Sequence, residues 1–336
     1  MRVITLDLVR FFAAMSVVLY HYTAKPGMDY LISGLTKYGY LGVPVFFMIS
    51  GYVISMSASK RTAMEFVISR FVRLYPTYWC GIGVTLLVAM VLGEGNYSLL
   101  QVVTNLTMLN DYFDIENIDD IYWTLQVELK FYGCVFILLM LGVFDRFKLW
   151  LVPWTALTTI HLLTNQPGFM GWFISPGYSP FFIAGIVYYR IHSEGMTWPN
   201  VAILCVAFVL SMIRVFQQTH GFIEGISIAD QFISAIIIAA SFGLFLAITT
   251  EKVQLAKRNV YVVLGGLTYP LYLVHNTAGK AIIDACKSAV SEAAAIGFTL
   301  ALMLFISWLI YNYMEKRYSG KLKSYLLRLQ SGTITA

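Results

Sequence analysis

The stretch LDLVRFFAAMSVVLYHY, residues 6 to 22, decides the fold class of this chain. With its flanks it is an apolar run of about 20 residues, the length that an α-helix needs to cross a lipid bilayer. Three ionisable side chains lie in it: Asp7, Arg10 and His21. Because Arg10 interrupts the apolar centre and no small-residue cleavage site follows, the stretch predicts a retained membrane helix rather than a signal peptide.

The composition extends this prediction to the whole chain. Of its 336 residues, 58% are apolar and only 12% are charged, and the mean hydropathy is +0.70. Soluble domains contain about 25% charged residues, so a soluble enzyme, a disordered chain and a disulfide scaffold are excluded. The net charge of +5 is too small and too scattered for a nucleic-acid interface.

Ten apolar runs of roughly membrane-spanning length follow one another along the chain. They cover residues 4–22, 39–57, 72–93, 122–144, 149–165, 172–189, 199–216, 231–250, 259–278 and 293–314. We therefore predict an all-α membrane bundle of about ten transmembrane helices. Its membrane domain covers residues 1–314, and a basic cytoplasmic tail covers residues 315–336.

The distribution of Lys and Arg gives the orientation. With the N-terminus inside, sixteen of the 23 cationic residues fall in cytoplasmic segments. The five in outer segments are Lys25, Lys37, Arg214, Lys280 and Lys287. Since cytoplasmic loops retain cations, both termini are expected in the cytoplasm.

The ionisable residues inside the predicted spans are the most informative, because each costs a few kcal/mol unless it is paired or hydrated. Arg10 and His21 are eleven residues apart, so they share one face of the first helix, about 16 Å apart along its axis. Asp7 lies three residues before Arg10 and is able to pair with it. A purely structural ion pair, with His21 at the membrane interface, remains the alternative reading.

Two further residues reach the same depth from other spans. Glu128 lies about 9 Å below the outer surface, and His275 about 24 Å from the cytoplasmic start of its helix. With His21, they fall in the outer third of the bilayer. A shared site is one interpretation, and a coincidence of depth among ten helices is the other.

At the cytoplasmic side, Arg70 and Arg73 flank the start of the third span. Their spacing places both guanidinium groups on one side of the helix, which suits phosphate binding. Ordinary positive-inside anchoring is the alternative. The four cysteines fit packing roles, and no cluster has metal-ligand spacing, so we expect no metal.

These residues form a pattern that resembles the acyltransferase 3 family of membrane O-acyltransferases. Its R-x10-H signature stands as Arg10 to His21. Four more motifs follow in the family's order: GYLGVPVFFMISGYVIS at 39–55, RFVRLYPTYW at 70–79, YWTLQVELKFY at 122–132 and YPLYLVH at 269–275. Two positions depart from the pattern, where Thr124 replaces a frequent Ser and Leu129 a frequent second acid. The chain resembles the stand-alone type, without a fused SGNH hydrolase-like domain.

The resemblance implies transfer of an acyl group, most often acetyl, from cytoplasmic acyl-CoA to a hydroxyl of a surface glycan or lipid-linked sugar. Arg10, Arg70 and Arg73 would bind the donor, which is a substrate, so no bound cofactor is expected. His21 would act as general base, because a neutral imidazole can take the hydroxyl proton. A variant has His21 or a Ser or Cys carry the acyl group covalently.

The remaining site residues have supporting roles in this interpretation. Glu128 or His275 would orient the imidazole or bind the sugar. Tyr122, Trp123 and Tyr272 could form a stacking platform for the acceptor, although aromatic belts are common at membrane interfaces. The expected location is the bacterial inner membrane. The alternative is a proton-coupled transporter that uses Asp7, Arg10, His21, Glu128 and His275.

Overall fold

The computed structural model describes residues 3–24, 30–93, 95–223, 225–256, 258–330 and 332. Lys25, one of the five outer cations, and residues 331 and 333–336 of the predicted tail lie outside these ranges. Fifteen α-helices cover most of the described chain, and that part of the chain contains no β-strand. They are α1 (Ile4–Thr23), α2 (Tyr30–Thr36), α3 (Gly42–Ala58), α4 (Ala63–Leu92), α5 (Leu99–Asn105), α6 (Trp123–Met140), α7 (Phe147–Thr164), α8 (Met170–Phe173), α9 (Ser179–Glu194), α10 (Trp198–Phe222), α11 (Ile228–Thr249), α12 (Asn259–Val274), α13 (Thr277–Cys286), α14 (Glu292–Ile310) and α15 (Ser319–Gln330).

The prediction of an all-helical membrane protein is confirmed. In the described ranges, seven helical stretches are long and apolar enough to cross a membrane. They are Ile4–Thr23, Ile32–Ala58, Ala63–Leu92, Asp120–Met140, Trp198–Phe222, Ile228–Thr249 and Glu292–Gln330. The other three predicted spans fall on α7, on α8 with α9, and on α12, which do not reach that length and apolarity together. The number of ten and the cytoplasmic termini stay predictions.

The predicted span at 172–189 is not one helix. The chain leaves α8 after Phe173 and begins α9 at Ser179. Pro176 and Pro180 explain the break, because a proline cannot donate a helical hydrogen bond and disfavours helical geometry in the preceding residue. Only the second part of the predicted span is therefore a regular helix.

The chain divides into two compact units. The first consists of Met1–Ala63 with Lys130–Tyr261, and the second of Met64–Leu129 with Val262–Ala336. The tightest helix pair of the first unit is α3 with α9. A Cβ atom at Gly51 would overlap the carbonyl oxygen of Phe182, and one at Gly185 would overlap that of Met48. Small residues at such a crossing let two membrane helices pack backbone to backbone.

In the second unit, α4 continues through Pro76 for 30 residues. Since a proline has no backbone N–H, Pro76 leaves the carbonyl of Val72 without its helical donor. The hydroxyl of Ser319, at the start of α15, lies 3.5 Å from that oxygen and donates to it. Helical structure runs from α14 through the π-helical segment Tyr311–Tyr318 into α15, so the predicted boundary after residue 314 falls within a continuous helical stretch.

Candidate functional site

The ten candidate residues are distributed over both units. Asp7, Arg10 and His21 belong to the first unit. The seven others belong to the second: Arg70, Arg73, Tyr122, Trp123, Glu128, Tyr272 and His275.

The three residues of the first unit lie on one uninterrupted helix, α1. Asp7, in its first turn, is buried, whereas Arg10 and His21 are half-buried. A straight helix separates Arg10 from His21 by about 16 Å. The imidazole of His21 packs edge to face against the Tyr20 ring, with 5.1 Å between the ring centroids. His21 is therefore held by the protein yet still partly accessible.

The C-terminal end of α1 is fixed by neighbours of His21. The hydroxyl of Tyr20 donates to the carbonyl of Phe222 at 2.8 Å, and the Phe222 ring stacks on Tyr40 at 4.7 Å. On the side of α3, Gly42 lies so close to α1 that a Cβ atom there would overlap the carbonyl of Ala13. The glycine-rich motif at 39–55 thus has a packing function, since it lets α3 approach the helix that carries His21.

Arg70 and Arg73 lie one turn apart in α4, as predicted from their spacing. Arg70 is half-buried. Its Nη2 donates to the hydroxyl of Ser69 at 3.2 Å, and its Cζ lies 5.9 Å from the centre of the Phe66 ring. Arg73 is exposed. The pair combines one guanidinium that contacts Ser69 and Phe66 with one exposed guanidinium, an arrangement that suits phosphate binding.

His275 follows the last residue of α12 and has no exposed surface. Its Nδ1 lies 2.8 Å from the carbonyl oxygen of Tyr272 and 3.2 Å from that of Leu271. A carbonyl oxygen only accepts, so Nδ1 carries the proton when the ring is neutral, and Nε2 carries the lone pair. The ring is oriented by its own helix.

Two of the predicted aromatic residues are buried next to His275. Tyr272 is 6% exposed, and its hydroxyl forms a 2.9 Å hydrogen bond with that of Thr124. Tyr122 is 1% exposed, and its hydroxyl donates to the carbonyl of Leu273 at 3.4 Å. The structure thus brings Tyr122, Tyr272 and His275 together. Their buried rings favour a supporting role over stacking with a sugar.

Glu128 and Trp123 lie on α6, where both are half-buried. Glu128 is one helical turn after Thr124, the residue that contacts Tyr272. Trp123 keeps part of its indole accessible, so it is the one predicted aromatic residue of this motif with a ring surface open to a ligand.

Sequence reasoning missed Asp119. This residue has no exposed surface, and its carboxylate accepts three hydrogen bonds. The donors are the Asn276 amide at 2.7 Å, the backbone N–H of Thr277 at 2.8 Å and the backbone N–H of Ile121 at 3.2 Å. Burial raises the pKa of the Asp119 carboxyl, against the opposing effect of these donors. Asp119 therefore joins the start of α6 to the turn that contains His275.

The segment before Asp119, which lies between the predicted spans 72–93 and 122–144, is ordered by buried amides. Asn105 and Asn110 have no exposed surface. Asn105 donates to the carbonyls of Gln101 and Glu116, and its own oxygen accepts from the backbone N–H of Ile118 at 3.0 Å. Gln126 of α6 donates to the Asn110 side chain at 3.0 Å. These bonds fix the segment on α6.

Arg214 is the second residue that the sequence analysis misplaced. It was counted with the cations of the outer loops, but it lies inside α10, eight residues before that helix ends. The predicted span 199–216 ended two residues after Arg214, whereas α10 continues to Phe222, so Arg214 lies further from the helix end than the apolar run indicated. The described part of the chain contains no group of three or more His, Cys, Asp or Glu residues that could hold a metal ion.

Comparison with known protein families gives one match. Residues 3–312 of the 336 match the family described as an acyltransferase domain. The match covers α1 to α14 and includes all ten candidate residues. Comparisons with curated proteins and with solved structures gave no match.

Proposed function

The chain belongs to the acyltransferase 3 family, and from that membership we propose that this integral membrane acyltransferase is an O-acyltransferase of the bacterial inner membrane. It moves an acyl group, acetyl in the first instance, from cytoplasmic acyl-CoA to a hydroxyl of a surface glycan or lipid-linked sugar. The observation that carries the proposal is α1, which holds Arg10 and a partly accessible His21 on one continuous helix.

His21 is proposed as the general base. Its neutral imidazole accepts the proton of the acceptor hydroxyl while the hydroxyl oxygen attacks the thioester carbonyl. A C–O bond forms and the C–S bond breaks, and the departing CoA thiolate takes up the proton from the imidazolium. Such assistance accelerates a reaction by about 10²- to 10⁴-fold.

Arg10, Arg70 and Arg73 are proposed to bind the phosphates of the donor. Guanidinium groups match phosphate oxygens with paired, charge-assisted hydrogen bonds. The half-buried Arg70, oriented by Ser69 and Phe66, supports this role. An extended pantetheine arm reaches far enough to span the 16 Å or so between Arg10 and His21.

The residues proposed to bind the acceptor lie toward the predicted outer ends of the spans, opposite the donor phosphates. Trp123 supplies an accessible ring for stacking on a sugar. Glu128 and His275 bind the acceptor or support the base, while Tyr122 and Tyr272 hold their surroundings. Asp7, buried in the first turn of α1, supports the position of Arg10.

Acetyl transfer in proteoliposomes tests the proposal. The purified chain is supplied with acetyl-labelled acetyl-CoA and with lipid-linked oligosaccharides extracted from the source cells, and the products are analysed by mass spectrometry. We expect labelled acceptor that is heavier by the mass of one acetyl group. Movement of a substrate across the membrane with no acylated product would contradict the proposal and support the proton-coupled transporter.

The donor site has its own test in the same assay. Replacement of both Arg70 and Arg73 by Gln should raise the KM for acetyl-CoA about tenfold or more, because two charge-assisted contacts are lost. Lys148→Gln removes an exposed cation in the first turn of α7 and is the control. An equal KM in the double variant and the control would remove these arginines from the donor site.

A further inference from the structure

Arg214 lies too far inside its helix to be a simple interfacial anchor. It lies in α10, one of the helices long and apolar enough to cross a membrane, about 12 Å before the helix ends at Phe222. An arginine at such a position costs a few kcal/mol unless it is paired or functional. A long side chain near a helix end usually extends outward to water or headgroups.

The Arg214 side chain instead packs into a recess in its own unit. The guanidinium atoms Nε, Cζ and Nη2 lie 2.7, 2.8 and 2.8 Å from the position that a Cβ atom of residue 177 would occupy. A larger residue at position 177 would force the guanidinium to shift from this place. The Arg214 Cζ also lies 5.6 Å from the centre of the Tyr178 ring, within the range of a cation–π contact. The segment between α8 and α9 thus forms a close-fitting site for this guanidinium, made by Gly177 and Tyr178.

A neutral side chain orients the guanidinium. Gln218 lies one turn further along α10. With its amide oxygen turned toward Arg214, that oxygen accepts from Nε at 3.1 Å and from Nη2 at 2.7 Å. These bonds, with a contact to the Tyr178 hydroxyl, use only part of the five guanidinium N–H groups, so donors remain for another acceptor.

Within the described ranges, Arg214 forms no ion pair with an Asp or Glu, whereas Lys37, Arg190 and Lys287 each have an acidic partner. An oriented, half-buried guanidinium with spare donors and no acidic partner is the arrangement that binds a carboxylate or phosphate.

We propose that Arg214 binds the anionic group of the acceptor, so that the acceptor is a negatively charged sugar: a uronic acid or a sugar phosphate. This inference rests on the proposed function, which supplies the acceptor. The predicted orientation places the end of α10 on the outer side, where a surface glycan is met. Arg214 then fixes the acceptor by its charge and leaves the reacting hydroxyl to other residues.

Binding of simple sugars tests the inference without any need for turnover. The full-length protein in phosphatidylcholine nanodiscs is unfolded thermally in the presence of glucuronate, glucose 6-phosphate or glucose at constant ionic strength. We expect the two anions to raise the midpoint and glucose to leave it unchanged, because a ligand that binds only the folded state stabilises it. The better of the two anions identifies carboxylate or phosphate as the ligand chemistry.

Variants of Arg214 and Gly177 show whether the stabilisation by anions depends on this guanidinium site. Arg214→Gln should abolish the anion-dependent shift, and Arg214→Lys should retain part of it. Gly177→Ala should weaken it, because the added methyl group displaces the guanidinium from its position beside Tyr178 and Gln218. Gly221→Ala, in the same helix with no atom near its added Cβ, is the control that should keep the full shift.

Four results would overturn the inference. The anions could fail to stabilise the wild type, or they could stabilise Arg214→Gln equally well. Phosphatidylglycerol nanodiscs could stabilise the wild type through Arg214 while the sugars do not, which would make the ligand a lipid headgroup. If Glu224→Gln alone reproduced the Arg214→Gln result, the arginine would serve an internal ion pair. Loss of acetyl transfer with intact sugar binding would contradict the proposed function and leave this site standing.

Discussion

Asp119 and Asp230 both use one carboxylate to hold separate parts of the chain together, but they do so with different partners. Asp119, in the second unit, accepts from the Asn276 amide and from the backbone N–H groups of Thr277 and Ile121, which are neutral donors. Asp230, in the first unit, lies 2.6 Å from both the Lys37 ammonium and the Tyr38 hydroxyl. One carboxylate is held without a cation in a fully buried place, and the other forms an ion pair.

The two sets of contacts are expected to contribute differently to the stability of their units. A buried carboxylate without a cation depends on every donor around it, so the loss of the carboxylate leaves several buried N–H groups without acceptors. An ion pair in which Lys37 keeps 31% of its side-chain surface exposed is screened by water and salt. We therefore expect the Asp119 contacts to determine the shape of the second unit around His275, and the Asp230 contacts to make a smaller contribution.

The largest expected effect follows from Asp119→Ala. The change leaves the donors of Asn276, Thr277 and Ile121 unpaired and should lower the free energy of unfolding by about 3 kcal/mol or more. Denaturation in mixed micelles measures this. Asp120→Ala, at the exposed neighbouring position, is the matched control and should stay within about 0.5 kcal/mol of wild type. Equal effects of the two substitutions would mean that the buried contacts do not stabilise the unit.

A smaller effect is expected at Asp230. Asp230→Asn keeps one acceptor oxygen but removes the charge that faces Lys37, so we expect a loss of about 1 kcal/mol. A double-mutant cycle with Lys37→Met should give a coupling energy of about 0.5–1 kcal/mol. That coupling should decrease as NaCl is raised, while the effect of Asp119→Ala should not change. A salt-independent coupling would show that the two carboxylates are held in the same way.

These two regions also show how far the sequence could lead. The pattern Ser227-x-x-Asp230 before an apolar run is a capping box, and the structure contains both of its reciprocal bonds. Such a local signal can be read from the sequence. Asp119 meets Asn276 at a separation of 157 residues, and nothing in the local pattern pairs them.

The same division applies to the rest of the fold. Apolar length predicted α1, α3 and α10 as membrane helices, because helix length and hydropathy are local properties. To predict the break before α9, the helix-breaking effect of Pro176 and Pro180 has to be given more weight than the apolarity of the run. The guanidinium of Arg214, in α10, packs against Gly177 in the segment between α8 and α9. Because the two residues lie in different elements, the pattern within either one does not predict this contact.

The most direct test of the central claim is the rate of acetyl transfer by His21→Ala at equal amounts of folded protein. His220→Ala, at an exposed histidine near the end of α10, is the matched control. We expect His21→Ala to lose about 10²- to 10⁴-fold in kcat, the range for a general base, with an unchanged unfolding midpoint and with the control at wild-type rate. Full transfer activity in His21→Ala would contradict the role of His21.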